Sequence, residues 1–283
     1  MWRLLDGLSP KHLELFASTD YEDCNVKSPN SLRRQWNDLE SLTLRNICEH
    51  DFMKRALKIF SRISSLTLDH CSGTEFFPPG VTGLKHLRVL ENNSCDMFSY
   101  GVDHVLNLTK VLEVLEIEST TRCDFANIYY PQDFKDRLRK CTNIREFRLA
   151  ASYGNNLDTD LASYIPSSVE KLTLQFTRSL PFLHDIDDWT KHALDKTWLL
   201  LLKSFQLTID RESRVGGLED DEKSLEWTRN LENRPREFSP EAFDMEFEKK
   251  RRVLYDVLKY SRPFIDLPGH CLYTLNTRYP SPV

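Results

Sequence analysis

The sequence lacks the motifs of several large enzyme classes. It has only 9 glycines in 283 residues, and they form no phosphate-binding loop. The metalloprotease motif H-E-x-x-H, the hydrolase motif G-x-S-x-G and paired Cys-x-x-Cys are also missing. We therefore expect a protein that is not an enzyme and that needs no cofactor.

Long apolar runs and an excess of positive charge are missing too. No stretch approaches the roughly 18 consecutive apolar residues that a membrane-spanning helix needs, and the apolar run in residues 1–6 is too short for a secretory signal. The 38 basic and 43 acidic residues give a formal net charge of −5. This balance argues against a nucleic-acid binder that depends on phosphate contacts, although it leaves a local basic patch open. The lack of a long apolar run predicts that no membrane is involved.

Cysteine is present in an odd number, seven, which does not suit a closed disulfide framework. Without a secretory signal, this predicts a reducing compartment, either the cytoplasm or the nucleus. Four of the thiols lie at or beside a repeat period that is described next. We expect these four to be free and buried, as small core residues: Cys48, Cys71, Cys95 and Cys141.

The main positive feature is a recurring apolar-x-x-apolar-x-apolar phrase. Its central positions are Leu13, Leu42, Leu66, Leu90, Leu115, Phe147, Leu172 and Phe205. The steps between them are 29, 24, 24, 25, 32, 25 and 33 residues, which is the spacing of a solenoid with one strand and one return segment per turn. After a partial copy at Leu13, strands are predicted at 41–45, 65–69, 89–92, 114–118, 146–150, 171–175 and 204–208, with the central residues stacked as a ladder in one parallel sheet.

The predicted fold class is therefore α/β, a repeat solenoid with a curved parallel sheet on its concave side and helices and loops on its convex side. The solenoid is assigned to residues 1–210. Residues 211–237 are rich in charges of both signs, and Gly216-Gly217 interrupts any regular element, which indicates a flexible insertion. Ser239-Pro240-Glu241 is a strong helix start, so residues 238–283 are assigned to a C-terminal helical cap on the last repeat.

The repeats resemble irregular leucine-rich repeats of the cysteine-containing kind, in which Cys or Asn follows the strand, as Cys71 and Cys95 do here. The tail, from Trp227 through Phe243-Asp244-Met245-Glu246 to Tyr260-Ser261-Arg262-Pro263-Phe264, is similar to the ends of fungal F-box-type repeat proteins. This resemblance implies substrate recognition for a cullin-type ubiquitin ligase. The F-box of that family is a helical module that binds a Skp-type adaptor, and residues 1–35 do not supply it. The adaptor is thus an expected partner only if a longer form carries an F-box.

The resemblance is to a fold whose recognition surface is the concave sheet face, and the strand pattern predicts which residues line it. These are Arg45, Asp69, Glu91, Glu116, Glu118, Glu146, Arg148, Lys171, Gln175 and Gln206. Glu91, Glu116 and Glu118 fall on neighbouring predicted strands, where like charges repel. An acidic middle of this kind predicts a basic protein partner whose binding is sensitive to salt, although Arg148, one turn further on, can neutralise part of the charge. The alternative is that these charged residues form an ordinary solvent-exposed sheet surface that binds no partner.

Two other functions stay open. One is a general interaction scaffold without any role in ubiquitin transfer. The other is a metal-dependent hydrolase, because His184, Asp185, Asp187, Asp188 and His192 place five possible ligands within nine residues, and Asp188 and His192 would share a helix face. Charged residues in a return segment more often cover a surface, so no metal site is assigned.

Overall fold

The computed structural model describes residues 10–16, 38–46, 62–69, 71, 83–90, 110–119, 136, 138–151, 161–177, 180–195, 197–210 and 240–267. These residues include eight strands and two α-helices. The strands are β1 His12–Phe16, β2 Ser41–Arg45, β3 Ser65–Asp69, β4 His86–Leu90, β5 Val114–Ser119, β6 Glu146–Ala151, β7 Lys171–Thr177 and β8 Ser204–Asp210.

The strands form one sheet in which every strand pairs in parallel with its neighbour in the chain, in the order β1 to β8. Successive parallel strands with one return segment each are what the repeat spacing predicts, and the single parallel sheet is confirmed. The organisation is repeat-like and compatible with a leucine-rich-repeat solenoid.

Two rows of apolar side chains on one face of the sheet, here called ladders, fix the register of the strands. Each strand alternates, so residues two apart share a face. The first ladder runs through Leu13, Leu42, Leu66, Leu87, Leu115, Phe147, Leu172 and Phe205. The second runs through Leu15, Leu44, Leu68, Val89, Ile117, Leu149, Leu174 and Leu207. Most of these side chains are almost fully buried, and a shift by one residue would turn every one of them to the opposite face.

The predicted ladder is wrong at one position. Leu90 was expected in the core, but β4 begins three residues earlier than predicted, and Leu87 occupies that place. Two overlapping phrases compete here, Leu87-x-x-Leu90 and Leu84-x-x-Leu87-x-Val89. The second places three apolar side chains in the core, whereas the first ends at the polar Asn92. Leu90 therefore lies on the opposite face, in register with Asp69 and Glu118.

The two helices lie in the C-terminal half. α1 comprises Leu180–Leu194, with Pro181 in the first turn, where a missing N–H costs no hydrogen bond. α2 comprises Pro240–Ser261 and begins where Ser239-Pro240-Glu241 predicts. A short 3₁₀ helix, Leu161–Tyr164, ends before Ile165-Pro166.

The residues that follow β7 and β8 cover the last strand. α2 packs against α1 and places Phe247, Leu254 and Leu258 in the core. The N–H of Leu207 donates to the phenol oxygen of Tyr255 at 3.0 Å. The N–H of Phe205 donates to the carbonyl oxygen of Asp266 at 3.1 Å. Main-chain groups of β8 that face away from β7 thus have partners, which hinders pairing with another chain.

Some predictions fall outside the described residues: Glu91, Cys48, Cys95 and the charged insertion 211–237. Among the described helices, none is both long and apolar enough to cross a membrane.

Candidate functional site

The sheet face opposite the two apolar ladders carries the predicted binding residues. We call it the polar face, and it has three rows of side chains across the strands. The first row is His12, Ser41, Ser65, His86, Val114, Glu146, Lys171 and Ser204. The second is Glu14, Thr43, Thr67, Arg88, Glu116, Arg148, Thr173 and Gln206. The third is Phe16, Arg45, Asp69, Leu90, Glu118, Ala150, Gln175 and Thr208.

Nine of the ten predicted binding residues lie in these rows, and the tenth, Glu91, lies outside the described residues. The structure thus gives the nine a common surface, while their role in binding stays a prediction. Sequence reasoning missed Arg88, because the shifted β4 register hid it, and the neutral side chains Thr173 and Thr208. The alternation of each strand would have shown the two threonines.

The charges on the polar face are arranged as ion pairs across neighbouring strands. Arg45 Nε lies 2.7 Å from Glu14 Oε1 and 3.4 Å from Asp69 Oδ2. One guanidinium therefore bridges carboxylates on both adjacent strands. Such pairs between side chains that remain partly in solvent contribute roughly 0–1 kcal/mol each. Their consequence for recognition is that they cancel charge.

The acidic middle of the face is paired in the same way. Arg88 Nε lies 3.0 Å from Glu116 Oε2, and Arg148 Nη2 lies 3.8 Å from Glu118 Oε2. The repulsion expected between acids on neighbouring strands is therefore offset for Glu116 and Glu118, and Arg148 neutralises Glu118 in the way that the sequence left open. The physical reason for this pairing is the register of β4, which places Arg88 rather than Glu91 beside Glu116.

Summed over the three rows, the described charges nearly balance. Glu146 is paired with Lys171, whose Nζ lies 3.3 Å from Glu146 Oε2. The carboxylates are Glu14, Asp69, Glu116, Glu118 and Glu146, and the cations are Arg45, Arg88, Arg148 and Lys171. The described part of the face thus has a net charge near −1 with neutral histidines, which is too small to select a basic partner.

A further row of alternating charge, the leading row, lies directly before the strands. It consists of Lys11, Glu40, Ser64, Lys85, Glu113, Arg145, Glu170 and Lys203. Lys11 Nζ lies 3.0 Å from Glu40 Oε1, and Lys85 Nζ lies the same distance from Glu113 Oε1. Sequence reasoning missed this row, although the residue just before each phrase would have shown it.

Hydrogen bonds within the leading row lower the pKa of its glutamates. The pKa of Glu40 is lowered chiefly by the hydrogen bond from Lys11, and that of Glu113 by the one from Lys85. Lys203 acts on Glu170 in the same way. These carboxylates stay ionised to lower pH than usual, and each forms an ion pair with a lysine of the neighbouring repeat.

At the β7–β8 end the polar face carries no charge in its second and third rows. We call Thr173, Gln175, Gln206 and Thr208 the amide patch. Thr173 is in register with Gln206, and Gln175 with Thr208. All four are partly buried. Neither glutamine side chain hydrogen-bonds to another residue in the described part of the chain, so both keep their donors and acceptors for other uses.

The possible metal ligands of the 184–192 segment are spread around α1. Asp185 is buried, at 2% exposure. Asp187 pairs with Lys250 of α2, and Asp188 Oδ1 lies 2.6 Å from Lys191 Nζ. The side chain of His184 lies outside the described part of the structure. Among the described residues no three His, Cys, Asp or Glu side chains converge on one point.

Two of the four expected core thiols are described. Cys71 and Cys141 are buried and are not part of a disulfide, as predicted. Burial raises the pKa of Cys141 to about 12, which keeps it a thiol at neutral pH. The Cys71 thiol lies 3.3 Å from the carbonyl oxygen of Leu44, one strand away. Both residues act as packing elements of the repeats.

No family model, curated protein or solved structure matches this chain. The description of the chain therefore stands at the level of its fold, an α/β protein with one repeat-like, all-parallel, eight-stranded sheet.

Proposed function

We propose that this protein is a non-enzymatic recognition scaffold whose polar face binds a protein partner. The observation that carries the proposal is the three-row surface itself. The two ladders on the other face already supply the core, so nothing in the packing requires the outward residues.

The size of the face suits an extended partner. Eight strands at about 4.8 Å spacing make a surface roughly 34 Å long, which matches about 10 residues of extended polypeptide. The described charges are paired with each other, so the partner is not selected by strong opposite charge. This replaces the basic partner that the sequence predicted.

A more specific form of the proposal follows from the resemblance of the tail. In that form the scaffold presents a bound protein to a cullin-type ubiquitin ligase through a Skp-type adaptor. The similarity of Phe243-Asp244-Met245-Glu246 and Tyr260–Phe264 to F-box-type repeat proteins supports it. Co-purification with a recombinant Skp-type adaptor tests it, and failure to co-purify reduces the proposal to a scaffold without a ubiquitin role. No observation in the described residues favours a metal-dependent hydrolase.

A substitution on the polar face tests the general proposal. Thr67 lies in the second row, and Thr67→Arg adds a long charged side chain to this face without touching the core. Affinity purification with quantitative mass spectrometry should show partners that wild type captures and this variant loses. Asp256→Arg, at an exposed position of α2, is the matched control and should retain them. If both variants capture the same partners in the same amounts, binding does not use the polar face.

A further inference from the structure

We propose that the amide patch binds the main chain of an extended, uncharged segment of the partner protein. This inference rests on the proposed function, since it assigns a chemical class of ligand to one end of the polar face.

The geometry of the patch fits an extended main chain. Gln175 and Gln206 occupy one diagonal of the square that the four residues form across β7 and β8. Diagonal neighbours on adjacent strands are about 7–8 Å apart. In an extended polypeptide, peptide groups that face the same side repeat every two residues, or about 6.8 Å. Two amides at this separation can therefore meet two successive same-side peptide groups.

The chemistry of the patch also fits. A glutamine amide has two donor hydrogens and an accepting oxygen, so it can pair with the N–H and the C=O of one residue of an extended chain, which point to the same side. Neither amide bonds to another described residue, whereas the Thr208 hydroxyl donates to the carbonyl oxygen of Leu174 at 3.4 Å and keeps its own oxygen as an acceptor. The partial burial of the patch means that some hydration is already lost before a ligand arrives.

A second observation beside the patch points to the same ligand. Arg148 is in register with Thr173 and extends the second row of the patch by one strand. Its Nε–H is buried and has no hydrogen-bond partner in the described part of the structure. A buried donor without an acceptor is costly, so the guanidinium would gain by turning its Nε–H toward an accepting carbonyl of the bound segment.

The distribution of charge decides between an uncharged segment and a charged one. Among the described charged side chains beside the patch, Lys171 is paired with Glu146 and Arg148 with Glu118. A charged side chain placed on the patch would lose water without gaining an opposite charge, which is unfavourable. Nucleic acid is disfavoured because the cations beside the patch, Arg148 and Lys171, are already paired with carboxylates and the chain carries a net charge of −5.

The test uses a library of short random peptides displayed on phage and selected against the full chain. We expect the enriched peptides to lack charged residues in their shared segment. The double variant Gln175→Glu and Gln206→Glu keeps the shape of both side chains but removes the amide donors. Its affinity for synthetic copies of these peptides should fall about tenfold or more, as expected for several lost hydrogen bonds.

Two controls accompany the selection. Asp256→Asn exchanges a carboxylate and an amide at an exposed position of α2 and should leave affinity unchanged. The pair Gln175→Ala and Gln206→Ala replaces the glutamate pair if thermal unfolding shows that the two new carboxylates destabilise the fold. For wild type, affinity should change by less than about twofold between low and high salt, because no net charge is neutralised.

Four results would overturn the inference, and they separate it from the proposed function. Peptides rich in charge whose binding weakens with salt would contradict it while leaving a protein-binding face in place. So would peptides that Thr67→Arg displaces but the glutamine variants do not. Binding of a single-stranded oligodeoxyadenylate probe through the two glutamines would assign the patch to nucleic acid. Failure to enrich any peptide that depends on either site would contradict both proposals.

Discussion

The phenol oxygen of Tyr255 makes a contact whose removal tests how the last strand is covered. Tyr255→Phe keeps the ring, which packs edge-on against Phe205 with the ring centres 5.8 Å apart. It removes the acceptor for the N–H of Leu207, a residue whose side chain is fully buried. A buried donor left without a partner costs about 1–2 kcal/mol. For a chain of this size that corresponds to a fall of roughly 2–5 °C in the unfolding temperature.

The measurement is urea unfolding followed by tryptophan fluorescence, since Trp189 and Trp198 lie in the part of the core next to β8. Hydrogen exchange at the amide of Leu207 should also accelerate. Tyr260→Phe is the matched control, because Tyr260 is in the same helix and is 90% exposed. If the two variants unfold at the same urea concentration and the Leu207 amide stays equally protected, α2 does not close this edge through its tyrosine.

Three other predictions follow from the packing and the charges. Leu87→Ala should destabilise the protein by about 2–5 kcal/mol, whereas Leu90→Ala should cost far less, and urea unfolding of the two variants tests the register of β4. Cys71 and Cys141 should react with a thiol reagent much more slowly in native than in unfolded protein, as mass spectrometry of labelled peptides would show; equal rates would contradict their burial. Stability should fall as the pH drops below about 4.3, the ordinary glutamate pKa. The glutamates of the leading row have lower pKa values in the folded than in the unfolded protein. Their contribution to stability is therefore present above about pH 4.3 and is lost as they protonate. Glu113→Gln should weaken this pH dependence in unfolding measured across acidic pH, and an unchanged pH profile would count against the leading row.

The strands could be predicted from the sequence because the apolar phrase has two independent signals. Alternation identifies each strand, and the recurrence every 21 to 33 residues identifies the sheet. β4 was misplaced because Leu84, Leu87 and Leu90 are spaced three residues apart and belong to two overlapping phrases. Only the phrase that ends at Val89 is apolar at all three positions, and in the sheet its central residue, Leu87, lies opposite both Leu66 and Leu115.

The electrostatics of the face could not be predicted to the same degree. Which carboxylate meets which guanidinium depends on the register of two strands at once, so a small error in one strand changes the pairs on both sides. The bridge made by Arg45 to Glu14 and Asp69 joins three repeats that are remote in the chain. The alternation of each strand predicts which residues are exposed, but it does not predict which of them form ion pairs with each other.

This dependence decides what kind of partner the face suits. With Leu90 in the core, the face presents Glu91 beside Glu116 and Glu118 and selects a basic ligand. With Leu87 in the core, Arg88 takes that place and the charges cancel, while the amides of Gln175 and Gln206 are among the described groups of this face without a hydrogen-bond partner. In the proposed function, recognition therefore shifts from attraction between opposite charges to hydrogen bonding with a main chain. This difference follows from the register of a single five-residue strand, β4.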